Sequence, residues 1–408
     1  MFELLNESKE GKNLHLTHIE DRPFIAGING TREAIYFLQS LRDMLSGNLP
    51  KRPIKISTKY DGAPAIICGN NPENGKFFVG TKGVFAATPK LNYIEKDIDA
   101  NHPGEGLNIK LKYALRYLKT LHIGPGRVLQ GDMMFIDKDI KTEIIGGEEC
   151  YTFQPNTIKY AVPTNTNLGN QIKNAKIGII FHTEYKGKTL PEMTSSFNPH
   201  IGGLTQSKEV WFRDAEFTDA TGAATLSGSE TEILNSILSE IGTIFQGLPP
   251  GFMNKLSLTE YLNLPLMTFV NSKVRAGEQI SNPKAFAGEF LVWLENKFNK
   301  EAASFKTVEK KQKVEKSKQI TISFFKNSWV HFIAIITLHN LLAKAKEMII
   351  TKLNNVRDIG TFIETPSGYK VTNPEGFVGV NQSNQAIKLV SRLEFSHNNF
   401  TVQKSWTK

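Results

Sequence analysis

Ile54-Lys55-Ile56-Ser57-Thr58-Lys59-Tyr60-Asp61-Gly62-Ala63-Pro64-Ala65-Ile66-Ile67 sets two apolar stretches on either side of a lysine, an aspartate and a glycine. Beta-branched residues alternate with polar ones up to Thr58, and an apolar run resumes from Ala65 to Cys68. The stretch reads as strand, tight connection, strand. Lys59 then stands at a strand end, beside a backbone that Gly62 makes permissive to the close approach of a phosphate. A free lysine amine, with a pKa of about 10.4, becomes a nucleophile only where its surroundings favour the neutral form. The plain alternative is a solvated hairpin, and the tetrapeptide alone does not decide between them.

Outward from this stretch, Arg32 to Leu45 carries apolar residues at Ile35, Phe37, Leu38, Leu41 and Leu45, which predicts a helix packed on the sheet. Lys76 to Gly80 reads as a returning strand that ends in Thr81-Lys82-Gly83, a second strand-end lysine beside a glycine. Leucines at 107, 111, 115 and 118 predict a helix over 107–121. Strands follow at Arg127–Phe135, with Asp132 inside it, at Ile177–Tyr185, and at Val210–Phe212. A carboxylate in a buried strand needs a partner.

Around Leu226 the chain changes character. Ser229 with Glu232, and Ser257 with Glu260, have capping-box spacing, and Asn282-Pro283 opens a further helix. Residues 297–318 are rich in lysine, and a long apolar helix follows to about Leu353. Strand patterns then return at 360–364, 369–371, 375–380 and 386–390. The expected layout is a sheet-based domain over 1–225 and 355–408, with an inserted helical domain over 226–354. The lysine run reads first as a solvated helix face and second as a nucleic-acid footprint.

The chain has 408 residues, a formal charge of +9 and two cysteines. The charge favours phosphate-bearing partners, and Cys68 and Cys150 exclude a disulfide framework or a multi-thiolate metal site. His15 and His18 lack further ligands nearby, and a packing or surface role outweighs a metal one. No export signal is read at Met1–Glu7, and Trp329–Leu342 is too short to span a bilayer. The expectation is a soluble cytoplasmic protein with no membrane partner.

In order along the chain, these pieces resemble the covalent nucleotidyltransferase superfamily of ATP-dependent RNA and DNA ligases and mRNA capping enzymes. Lys59-Tyr60-Asp61-Gly62 resembles its motif I, Lys-x-Asp-Gly. Gln130-Gly131-Asp132 resembles motif III, with aspartate for the usual glutamate, and Phe181 falls where motif IIIa supplies a ring. Glu375-Gly376-Phe377-Val378 matches motif IV, Ile387-Lys388-Leu389-Val390 resembles motif V, and Thr81-Lys82-Gly83 is a looser match to a basic segment. Motif V lacks its second lysine, for which Arg392 is the candidate substitute.

The resemblance implies an α+β fold, an antiparallel-sheet, ligase-like and ATP-grasp-like domain. It implies Lys59 as the adenylated residue and Asp61 and Lys388 as further catalytic groups. ATP would be held by Gly62, Lys82, Asp132, Phe181, Glu375 and Lys388, and Mg2+ or Mn2+ by Glu375. Only about 16 residues follow Arg392, too few for the OB-fold module of DNA ligases and capping enzymes. A phage-type RNA ligase acting on RNA with a 5'-phosphate end is therefore the first reading. A cap or protein acceptor stays open, as does a catalytically inactive nucleic-acid-binding or virion-associated protein.

Overall fold

The computed structural model describes residues 16–197, 199–217, 222–356, 359–365, 368–371 and 375–393. The chain begins with β1 (Thr17–His18) and the long helix α1 (Arg22–Leu45), then β2 (Ile54–Lys59), β3 (Ala65–Asn70) and β4 (Phe77–Gly80). It continues through α2 (Glu95–Asn101), α3 (Glu105–Leu118), β5 (Arg127–Ile136), β6 (Lys141–Ile145), β7 (Glu148–Phe153), β8 (Lys159–Pro163) and α4 (Asn167–Asn174). β9 (Ile177–Lys186), β10 (Thr194–Phe197) and β11 (Val210–Asp214) precede six helices: α5 (Gly228–Gly247), α6 (Pro250–Leu258), α7 (Glu260–Arg275), α8 (Pro283–Ser304), α9 (Val308–Asn327) and α10 (Trp329–Leu353). Four strands close the described chain: β12 (Gly360–Thr365), β13 (Gly368–Val371), β14 (Gly376–Asn381) and β15 (Ala386–Leu389).

The strands form three sheets, ordered β1-β15-β14-β2, β10-β9-β5-β3-β4 with β11 also on β9, and β13-β12-β8-β7-β6. Pairing is antiparallel except between β1 and β15 and between β11 and β9. This is a mixed α+β architecture. Strands expected from sequence after the helical block do return to the sheets, and β14 pairs along the whole of β2.

The first sheet explains the alternation in the opening stretch. Ile56, Phe377, Ile387 and Leu389 share one hydrophobic core with Phe37, Leu38 and Leu41 of α1 and with α5 to α10. Each such side chain contributes roughly 1.5–3 kcal/mol by leaving water. Lys55, Ser57 and Lys59 therefore face the other way, as period-2 geometry requires. The helical block is thus continuous with α1 and one face of this sheet rather than a body with a core of its own. α1 bends at Gly27 (φ 51°), where a Cβ would come within 2.7 Å of Ser257 Oγ on α6.

Two expected caps differ. The capping box of α5 is Ser227 with Glu230, not Ser229 with Glu232. Ser257 lies buried inside α6 instead of opening α7, whose N-cap is Thr259. In both cases another residue of suitable type sat two positions away, and packing chose the register. Asn282 caps α8 as expected, its side chain accepting from the Ala285 N–H. Among the described residues no helix is long and apolar enough to cross a membrane.

Candidate active site between two sheets

β2 delivers Lys59 and β14 delivers its partner. The register pairs Lys59 with Gly376, so the preceding Glu375 sits beside the amine, and the two side chains form an ion pair. Gly376 has φ 147°, and a Cβ there would lie 2.4 Å from the Leu389 carbonyl oxygen. Only glycine turns the chain into β14 at this point. The pair is half-open, with 25% of the Lys59 side chain and 14% of Glu375 exposed.

The connection after Lys59 is pinned from both sides. The Asp61 carboxylate accepts from Asn156 Nδ2 at 2.7 Å and from the Thr157 and Ile158 N–H groups at 2.7 and 2.9 Å. The Asp61 N–H donates to the Tyr160 hydroxyl at 2.8 Å. Asp61 therefore spends its carboxylate on holding the loop before β8. Gly62 has a packing role as well, since a Cβ there would sit 2.6 Å from the Asp132 Cβ and 3.0 Å from Met134 Sδ. The close approach it permits is that of β5, which brings Asp132 to the cleft, rather than that of a phosphate.

β5 alternates between Leu129 and Met133, and its register against β9 shifts beyond that point. Leu129 and Met133 pack under α3, while Asp132 lines a cavity of about 90 Å³ together with Ser57, Lys59, Ile180, His182 and Phe197. On β9 Phe181 follows the apolar run of its own strand into the core, against the place that the resemblance implies for it. Ile177, Ile179 and Phe181 all point into the α3 core, and the Phe181 ring meets Phe212 edge-on at 6.4 Å. The ladder to β5 jumps from Gly131–Phe181 to Gln130–Thr183, leaving His182 as the bulged residue. Phe181 is thus not available to stack on a ligand in this cavity. His182 occupies that side instead, its Nε2 3.7 Å from Asp132 Oδ1 and its Nδ1 2.8 Å from Thr183 Oγ1.

Lys388 pairs across the sheet with Val378, which pairs with Ser57, so it shares the Lys59 face. Burial first, and then the charge of Lys59, lowers its pKa, with Glu375 pulling the other way and Lys82 and Arg392 adding repulsion. Lys82 is exposed at the end of β4 and reaches this group through its field alone. Arg392 does not take the place of a second motif V lysine. It is buried against the helical side, donating to both Asp21 oxygens at 2.8 and 3.0 Å and to Asn271. β15 ends at Leu389, so strand alternation no longer governs position 392.

Lys59 faces three carboxylates, those of Glu375, Asp132 and Asp61. Burial alone would lower its pKa, but these groups outweigh burial and raise it. Burial first, with Asp61 and Asp132 after it, pushes Glu375 up against the pull of Lys59. The carboxylates thus raise Lys59 against burial, whereas burial leads in raising Glu375 and the neighbouring carboxylates add to it. A cleft with these carboxylates favours an incoming cation. Among the described residues no group of three or more His, Cys, Asp or Glu is arranged to hold a metal. Mg2+ commonly takes only one or two protein carboxylates plus substrate phosphates, and Glu375 with Asp132 fits that donor set.

Of the residues singled out in the sequence, Lys59, Asp61, Gly62, Asp132, Glu375 and Lys388 come together, Lys82 stands at the margin, and Phe181 points away. His182 and Phe197 were missed. His182 follows Ile180 in the alternation of β9 and was open to a sequence reading, whereas β10, Thr-Ser-Ser-Phe, carries no alternating apolar pattern. A far larger cavity, about 960 Å³, lies between α7, α10 and Arg392 and contains none of the cleft residues. His15 lies outside the described residues; His18 is half-buried.

A family model described as "Family of unknown function (DUF6267)" matches residues 13–404, and the chain belongs to that family. No curated protein and no solved structure matches.

Proposed function

We propose that this member of the DUF6267 family is an ATP-dependent nucleotidyltransferase with the ligase-like fold, and in its most specific form an RNA ligase working through a lysyl-AMP intermediate on Lys59. The observation that carries the reading is the contact between Lys59 and Glu375, 316 residues apart, with Asp132 and Lys388 on the same side of the sheets. The carboxylates around Lys59 raise its pKa and favour the ammonium, so attack on a phosphate requires that Glu375, in contact with the amine, take its proton first.

In this reading the Lys59 amine gives up a proton, forms a nitrogen–phosphorus bond to the α-phosphate, and pyrophosphate leaves with the electrons of the broken phosphorus–oxygen bond. Glu375 is the carboxylate in contact with that amine, and its raised pKa suits it to receive the proton. Lys388 neutralises charge that builds on the phosphate oxygens. Mg2+ or Mn2+, when bound, would supply further neutralisation at that phosphate. AMP then passes to a 5'-phosphate end, and a 3'-hydroxyl displaces it to form the phosphodiester. Asp61 acts by holding the turn that follows the nucleophile. The 90 Å³ cavity is below the roughly 300–1,000 Å³ of small-molecule sites, so nucleotide entry requires the two sheets to part.

The test is covalent labelling from α-labelled ATP with a divalent metal. Wild-type protein takes up the label and Lys59→Ala does not, at unchanged melting temperature; equal labelling of the variant rejects the reading. A second reading, a polynucleotide-binding protein that keeps the cleft without its chemistry, is favoured by the commitment of Arg392 to Asp21 and by the small cavity. RNA binding with no label under any metal selects it.

A further inference from the structure

α9 is packed from one side. Its buried residues are Val314, Thr321 and Phe325, whereas every residue from Lys306 to Lys313 is exposed. Lys306, Lys310, Lys311, Lys313 and Lys316 fall within a stretch about 15 Å long at 1.5 Å per helical residue, accompanied only by the acids Glu309 and Glu315. Among the described residues none of these five lysines forms a salt bridge. By contrast Lys318, further along the helix, is held by Glu295 and Glu315 and donates to Asn299.

Within α9 the lysine pairs 310/313 and 313/316 repel one another, and the opposite-charge spacings Glu309/Lys313 and Lys311/Glu315 offset this only in part. An anionic partner relieves that repulsion. A membrane surface is the poorer match, because a helix lying on lipid buries an apolar face, and between Lys306 and Lys313 the only large apolar residue is Val308. Base-stacking is also a poor match, since that stretch carries no aromatic ring. What remains is a row of cations suited to phosphates and indifferent to sequence.

We propose that the exposed lysines around the first turns of α9 bind the phosphate backbone of a polynucleotide without sequence preference. The proposal takes from the nucleotidyl-transfer reading only the identity of the polyanion, and deepens it by naming the surface that grips the strand. The experiment uses the full chain and fluorescent single-stranded RNA, titrated across a range of salt. The quadruple variant Lys310→Glu, Lys311→Glu, Lys313→Glu, Lys316→Glu binds at least tenfold more weakly than wild type near physiological salt. Its slope of log affinity against log salt is smaller by about 3, at ~0.7 per phosphate contact for single strands.

The corresponding Lys→Arg set retains both affinity and slope, and a Lys→Gln set separates loss of charge from loss of fold if the Glu variant melts early. Equal affinity and slope in wild type and a folded variant overturn the proposal. So does a wild-type protein that binds vesicles of anionic lipid but no polynucleotide. Labelling from ATP is read in parallel. A wild type that binds RNA but takes no label fails the Lys59 chemistry and leaves this surface standing, whereas a labelled variant that still binds RNA fails this surface alone.

Discussion

Two lysine–glutamate pairs serve the same sheet in opposite ways. Lys346 on α10 meets Glu20 at 2.7 Å, donates also to the Val390 carbonyl at 2.8 Å, and leaves both charged side chains 1% exposed. Beside it Arg392 pairs with Asp21, and Lys346 also lies 3.5 Å from Glu347, whose side chain is 45% exposed. Lys59 and Glu375 are partly open, and Asp61 and Asp132 add negative charge that no neighbouring cation balances in full. The difference separates a joint from a workplace. A fully buried pair fixes the helical block to the end of β15 and to the entrance of α1, while a pair that solvent still reaches is open to an incoming group.

Changes to the two lysines sharpen that contrast most. Lys346→Met strands Glu20 in a dry site and costs roughly 3–5 kcal/mol, the range for breaking one partner of a buried pair. Lys59→Met leaves Glu375 closer to solvent and costs under about 1 kcal/mol, within the range of partly exposed pairs. Urea denaturation of both variants reads the difference, and equal losses would erase the distinction between the pairs.

The pH dependence of stability comes next in size. Burial above all holds His18 well below its usual value, at about 3, with Arg392 and Lys346 adding to the shift and Glu20 opposing it. Below about pH 6.5 the unfolded chain takes up a proton that the folded one refuses, so stability is lost as pH falls from 6.5 toward 3, on the order of a few kcal/mol in all. Asp21 acts in the same sense lower down. Burial would raise its pKa, but Arg392 and His339 outweigh that and depress it, so its contribution is present above the unfolded value near 4 and vanishes in stronger acid. Melting curves from pH 3 to 7 show this slope, and His18→Gln flattens its upper part; an unchanged slope removes His18 from the account.

The smallest effects concern the cleft wall. Phe181→Leu costs about 1 kcal/mol of stability as a core substitution and leaves nucleotide affinity unchanged, whereas His182→Ala weakens nucleotide binding several-fold at little cost to the fold. Isothermal titration with ATP and thermal melts separate them. The opposite pattern would return the ring at 181 to the site.

Much of this was legible in the sequence because it rests on local periodicity. Alternation from Ile54 to Lys59 gave the strand and both its faces, and the apolar positions of α3 and α10 followed from helical spacing. The order of Lys59, Asp132, Glu375 and Lys388 located the cleft from a resemblance. Strand alternation leaves Phe181 in the core with Ile177 and Ile179 and turns His182 to the cleft with Ile180, and the motif match pointed the other way. The tight seat of Gly62 on β5 and the capture of Arg392 by Asp21 depended on tertiary contacts that periodicity does not carry. The hairpin of β6 and β7 and its neighbour β8 carry no alternating apolar pattern, opening instead on Lys141, on Glu148-Glu149 and on Lys159.

The pairing of β2 with β14 also sets a timetable for biosynthesis. Translation at roughly 5–20 residues per second leaves about 16–60 s between the appearance of Lys59 and of Glu375, 316 residues later. The far edge of β2 is met sooner, where Thr58 donates to the Ala215 carbonyl and Phe217 donates to that of Ile56. The edge that belongs to β14 waits for the whole interval. A nascent chain stalled anywhere before β14 would carry the lysine with no carboxylate from that strand to meet it, and would present a bare strand edge to its neighbours.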